Sequence, residues 1–111
     1  MLKEIRFLKD KSGNSPAIKW LTKLKDRKVA AIINARLARV AGGNYGDHRY
    51  IDDEICEFRI HLKSGYRIYF VELEKIIVLI LLVGSKRTQK KDIQKATKLW
   101  HEFKEEQGDQ L

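Results

Sequence analysis

Residues Ile76 to Val83 read Ile-Ile-Val-Leu-Ile-Leu-Leu-Val, eight consecutive apolar positions in a chain in which 34% of the residues are charged. A bilayer-spanning helix needs roughly 20 apolar residues, so this run cannot be one. A strand sends successive side chains to opposite faces, and a strand that is apolar at every position must be buried on both. The run therefore predicts a central strand, closed by Gly84.

The segments before it carry the period-two pattern of strands with one polar face. Cys56, Phe58, Ile60 and Leu62 alternate with Glu57, Arg59, His61 and Lys63; after the turn residues Ser64-Gly65, Tyr66, Ile68 and Phe70 alternate with Arg67, Tyr69 and Val71. Together with the apolar run they predict three consecutive antiparallel strands, and Arg49-Tyr50-Ile51 adds a weak one. Lys3 to Leu8 is short, mixed and β-compatible, and Lys11-Ser12-Gly13-Asn14 breaks it; it reads as an edge strand.

Between these strands the period is helical. Ser15 before Pro16 is the pattern of an N-cap followed by proline at the first helical position, and Ala17, Trp20, Leu21 and Leu24 place a helix up to about Lys25. Val29, Ile33, Leu37 and Val40 form the stripe of a second helix that stops at Gly42-Gly43. The short connection predicts an antiparallel helical hairpin packed on the sheet. Beyond a loop at Ser85-Lys86-Arg87, Thr88 is a candidate N-cap, and Ile93, Ala96, Trp100 and Phe103 mark a last helix. The expected architecture is α+β in one domain over 1–111, with the order β-α-α-β-β-β-β-α.

Lysine and arginine number 23 against 15 acids, a net charge of +8. Residues 102–111 hold four of those acids and only Lys104, so residues 1–101 carry 22 bases and 11 acids. A polyanion is the natural partner, since neutralising phosphates releases counterions. The single Cys56 has no partner for an intramolecular disulfide and reads as a reduced, half-buried thiol. The charged Met1-Leu2-Lys3-Glu4-Ile5-Arg6 start shows no secretory signal, and a cytoplasmic location is expected.

The bases concentrate where the strands end. Residues 59–91 contain eight bases (Arg59, Lys63, Arg67, Lys75, Lys86, Arg87, Lys90 and Lys91) against Glu72 and Glu74. Arg59, His61 and Lys63 are spaced by two and would share a strand face, with Arg67 on the polar side of the next strand. Several fixed guanidinium groups suit a phosphodiester, because arginine pairs two phosphate oxygens and stabilises charge that grows in the transition state. Histidine titrates near neutrality, which makes His61 a candidate for proton transfer. A solvated face of alternating charges would show the same pattern. His48, His61 and His101 are scattered, and H-E-x-x-H and C-x-x-C spacings are absent, so no metal or cofactor is expected.

The ordered set Glu57-Phe58-Arg59-Ile60, Ser64-Gly65-Tyr66-Arg67-Ile68-Tyr69-Phe70 and Val83-Gly84-Ser85-Lys86-Arg87-Thr88-Gln89-Lys90-Lys91-Asp92-Ile93 closely resembles the phage-derived, Gp49-like (HigB-like) branch of the RelE/ParE toxins. The similarity extends through the Pro16 helix, the Ala-rich second helix and Ala96 to Trp100. It implies a RelE-like, microbial-RNase-like fold with a twisted antiparallel sheet, an N-terminal helical hairpin and a C-terminal helix. It implies a type II toxin that cuts mRNA on the ribosome as a metal-independent endoribonuclease. Its partner would be a helix-turn-helix antitoxin, through which alone it would meet operator DNA. On this resemblance Arg59, Arg67 and Lys86 or Arg87 activate the phosphate, and His61 and Lys63 fall near positions that are basic in some relatives; from the basic cluster, Lys63, Lys90 and Lys91 are the candidate RNA-binding residues. Asp92-Ile93-Gln94-Lys95 holds no tyrosine where mRNA-cleaving relatives often have one. ParE-like action on DNA gyrase and an inactive basic binding module are the alternatives.

Overall fold

The computed structural model describes residues 1–109. Its elements are β1 (Glu4–Phe7), α1 (Pro16–Lys23), α2 (Arg27–Ala41), β2 (His48–Tyr50), β3 (Ile55–Ile60), β4 (Tyr66–Leu73), β5 (Ile77–Ser85), a 3₁₀ turn (Lys86–Thr88) and α3 (Gln89–Asp109). The strands form one five-stranded sheet in the order β1-β5-β4-β3-β2, covered by helices on both faces. The class is α+β.

Two features of the expected order change. The sheet is mixed, because β1 pairs in parallel with β5 while β2 to β5 form an antiparallel meander. A 3₁₀ turn also stands where a loop was expected, so Thr88 lies inside that turn and does not cap α3.

Local chemistry explains the helix starts. Ser15 caps α1 by accepting from the Ile18 N–H at 3.1 Å, with Pro16 at the first turn. Asp26 caps α2, accepting from Lys28 and Val29 N–H at 3.0 and 3.1 Å. α1 stops at Lys23, two residues early, because Leu24 is already extended.

β5 is buried from Val78 to Val83 as its composition required. β1 flanks it only through Ile80, and β4 flanks it on the other side. Ile76 falls in the preceding turn and is 53% exposed. A bulge interrupts the β4–β5 register: Tyr69 pairs with Leu82 and Phe70 with Ile80, leaving Leu81 extra. The bulge puts Leu79, Leu81 and Leu82 under α3 with Tyr69, Val71, Ala96, Leu99 and Trp100. Val78, Ile80 and Val83 face α1 and α2, with Phe58, Ile68, Phe70, Val29, Ile33 and Val40. Phe58 and Phe70 stack at 3.9 Å between centroids, and Tyr45 stands edge-on to both.

Cys56 is buried and unpaired, and burial pushes its thiol up to about 11. Among the described residues no helix is long and apolar enough to cross a membrane.

Candidate functional site at the basic end of the sheet

Strand register builds two rows on the sheet face that α3 partly covers. The first runs Asp47, Arg59, Arg67, Gly84: the Arg59 N–H donates to the Asp47 carbonyl at 2.9 Å, Arg59 lies opposite Arg67, and Arg67 opposite Gly84. The second runs Arg49, Glu57, Tyr69, Leu82. Two arginines directly opposite one another repel, so the fold must surround them with carboxylates.

Asp47 supplies one. Its Oδ1 accepts from Arg59 Nε at 3.2 Å and Nη2 at 2.9 Å, and its Oδ2 meets His61 Nε2. These hydrogen bonds, that from His61 first and those from Arg59 next, hold the Asp47 carboxyl at about 2. Arg59 is about one-third exposed at its side chain and His61 about two-thirds.

Glu57 supplies another and is wholly buried. It accepts from Arg49 Nε at 2.7 Å and from the Gln89 amide at 3.1 and 3.2 Å, with Arg67 Nε at 3.9 Å. A buried carboxylate survives only when so surrounded. The Tyr69 hydroxyl beside it has no hydrogen-bond partner among the described residues, and burial above all pushes its pKa up.

The third carboxylate comes from α3. Asp92, in its first turn, accepts from the Thr88 hydroxyl and packs onto β5 where Gly84 has no side chain.

Arg59, His61 and Lys86 arrive at one end of the sheet as the sequence led us to expect, but Arg67 does not lie on an open face. It is only 5% exposed: the Lys86 N–H donates to the Gly65 carbonyl at 3.0 Å and this segment closes over it. Its Nη1 donates to the Tyr66 carbonyl at 3.0 Å, and its Nε has no hydrogen-bond partner among the described residues. Lys63 is a second correction. β3 ends at Ile60, so His61 and Lys63 do not continue the strand; Lys63 sits at φ 55° in the turn, and its ammonium pairs with the α2 cap Asp26. Arg87, Lys90 and Lys91 line a separate shallow depression of about 330 Å³ with Thr88 and Gln94.

Arg36 escaped sequence reasoning, although it breaks the apolar stripe between Ile33 and Val40. It is 6% exposed and gives its guanidinium to three carbonyls, those of Tyr45 (3.0 Å), Asp47 and Arg59 (3.0 Å). Burial pulls its pKa below the ordinary value. Asp47, Arg49, Glu57 and Gln89 were also missed, since nothing local distinguishes them from solvated polar residues.

The fold and this cluster define a small α+β domain with a basic rim at one sheet end. No family model matches the chain. It is 43% identical over 84 residues to an uncharacterized protein of Haemophilus influenzae, an alignment spanning 76% of this chain and 85% of that protein. The chain belongs to the same family as that protein.

Proposed function

We propose that this chain is a RelE/ParE-like toxin of RelE-like fold that cuts ribosome-bound mRNA without a metal. The observation that carries the reading is the strand register, which sets Arg59 opposite the buried Arg67 and Arg67 opposite Gly84, so that the end of β3 with His61 and the turn after β5 with Lys86 come to the same end of the sheet. These groups match what cleavage by a 2′-hydroxyl requires. Arg59 pairs the phosphate oxygens and opposes charge growing at phosphorus. His61 Nδ1, the ring nitrogen not facing Asp47, moves a proton. Arg67 lies buried beneath them with its charge offset by Glu57, and Lys86, Arg87, Lys90 and Lys91 gather the RNA backbone at the rim. A helix-turn-helix antitoxin carrying acidic segments would neutralise the same rim.

Expression of the chain alone should arrest bacterial growth, and primer extension should show new mRNA ends that vanish when initiation on that transcript is blocked. Arg59→Ala should lower cleavage roughly 100- to 1000-fold, the range for removing a donor to a developing oxyanion. Intact transcripts accompanied by DNA breaks would replace this reading with gyrase poisoning. Unimpaired growth under verified soluble expression would leave a basic binding module.

A further inference from the structure

We propose that Asp47 is the positioning residue of this site, fixing which edge of Arg59 and which nitrogen of His61 face a bound phosphodiester. The inference rests on the ribonuclease reading and assigns a role to a residue which that reading leaves idle.

The geometry is specific. Asp47 uses one oxygen for Arg59 Nε and Nη2 and the other for His61 Nε2. Arg59 is left with Nη1 and the outer N–H of Nη2, and His61 with Nδ1, for any other partner. A guanidinium and an imidazole on flexible stems lose rotational freedom through this one carboxylate, before RNA arrives.

The backbone beneath Asp47 is itself held. Its carbonyl accepts from Arg36 Nη2 and from the Arg59 N–H, while Arg36 Nη1 takes the Arg59 carbonyl at 3.0 Å. One buried guanidinium therefore ties the two residues whose side chains form the pair. Gly46, at φ 65°, leaves room for it, since a Cβ there would sit 3.1 Å from the Arg36 guanidinium. Tyr45 anchors the same loop against Phe58 and Phe70. A carboxylate that merely plugged an anion site and swung away would not need this fixed backbone.

The alternative is that Asp47 blocks the site as an internal anion, and the two roles predict opposite rates. Single-turnover cleavage of ribosome-bound mRNA gives the rate, and a 2′-deoxy-substituted mRNA that cannot be cut gives the affinity. Asp47→Asn should lower the rate about 10- to 100-fold, the scale of a small misplacement of reacting groups. Affinity should stay equal or tighten, because a negative charge has left the site. Asp47→Glu should recover part of the rate. In ¹⁵N spectra of the free protein, the Arg59 Nε–H signal should be protected from exchange in the wild type and lose that protection in Asp47→Asn.

A rise in rate with Asp47→Asn would overturn the proposal in favour of a blocking role. A wild-type rate in that variant would overturn it too, as would a parallel fall of rate, affinity and thermal midpoint, which marks a purely structural residue. In each of those cases the wild type still cuts, and the ribonuclease reading stands. A wild type that cuts nothing under any condition sinks that reading and this inference with it.

Discussion

Gly84→Ala should be far more disruptive than a single added methyl on a strand ordinarily is. Gly84 does not have the positive φ that would by itself demand glycine; what it supplies is space. A Cβ built there would overlap the Asp92 carboxylate, lying 3.0 Å from its Cγ, and would stand 3.3 Å from the Thr88 hydroxyl. Asp92 would have to leave. Overpacking of this kind costs about 1–3 kcal/mol. Loss of the Thr88–Asp92 hydrogen bond and of an acid in the first turn of α3 adds about 1 kcal/mol. At roughly 4 °C per kcal/mol for a domain of this size, the midpoint should fall by about 8–16 °C in a calorimetric scan. Asp92→Ala removes the obstruction, so the double variant should be more stable than the sum of the two single changes, by about 1 kcal/mol or more. A Gly84→Ala midpoint equal to the wild type, or strictly additive changes, would refute the argument. The same substitution should weaken cleavage, because β5 ends at Ser85, one residue beyond Gly84, and Lys86 and Arg87 follow it directly.

Other consequences are smaller but separable. Ser15→Ala removes the cap of α1 and should cost about 1 kcal/mol in denaturant unfolding, whereas Ser15→Asp should restore most of it. The Asp47 carboxyl is depressed in the folded protein, so its contribution to stability is present above its ordinary 3.8 and is lost as pH falls to about 2; acid titration of Asp47→Asn should be flatter across that window. Cys56, buried with its thiol pushed up to about 11, should resist alkylation at neutral pH until the protein unfolds, and fast labelling of the native state would contradict its placement. Replacing Arg87, Lys90 and Lys91 together by alanine should reduce the salt slope of single-stranded RNA affinity by about 2, at about 0.7 per lost phosphate contact, leaving the thermal midpoint nearly unchanged.

What the sequence could reveal depended on whether a signal was local. The eight-residue apolar run required burial on both faces, and β5 delivers it from Val78 to Val83 while Ile76 falls in the turn; yet the run's uniformity hid the bulge at Leu81, because nothing in a run of apolar residues marks where the alternation slips. The alternation through Glu57, Arg59, His61 and Lys63 overran the strand end, since the turn also carries an apolar Leu62 between polar neighbours. Alternation puts Arg67 on the polar face but is silent about what covers a face, and its cover comes from the Gly65 turn and the Lys86 segment bonded to it. Arg36 alone left a local mark, a charge inside the buried stripe of α2. A long cation there is affordable only when it meets acceptors, and those acceptors are carbonyls supplied by the loop before β2 and by β3. Counting bases from 59 to 91 therefore misjudges where the positive field lies. On the sheet face Arg49, Arg59 and Arg67 are matched by Asp47, Glu57 and Asp92, so the rows add little net charge of their own. The excess sits on the rim, in Lys86, Arg87, Lys90 and Lys91. On the proposed ribonuclease reading, attraction of a polyanion and chemistry on one of its phosphates would then belong to different residues: the rim would set how strongly affinity depends on salt, and the neutralised rows, held by buried hydrogen bonds, would set the geometry in which a phosphate is met.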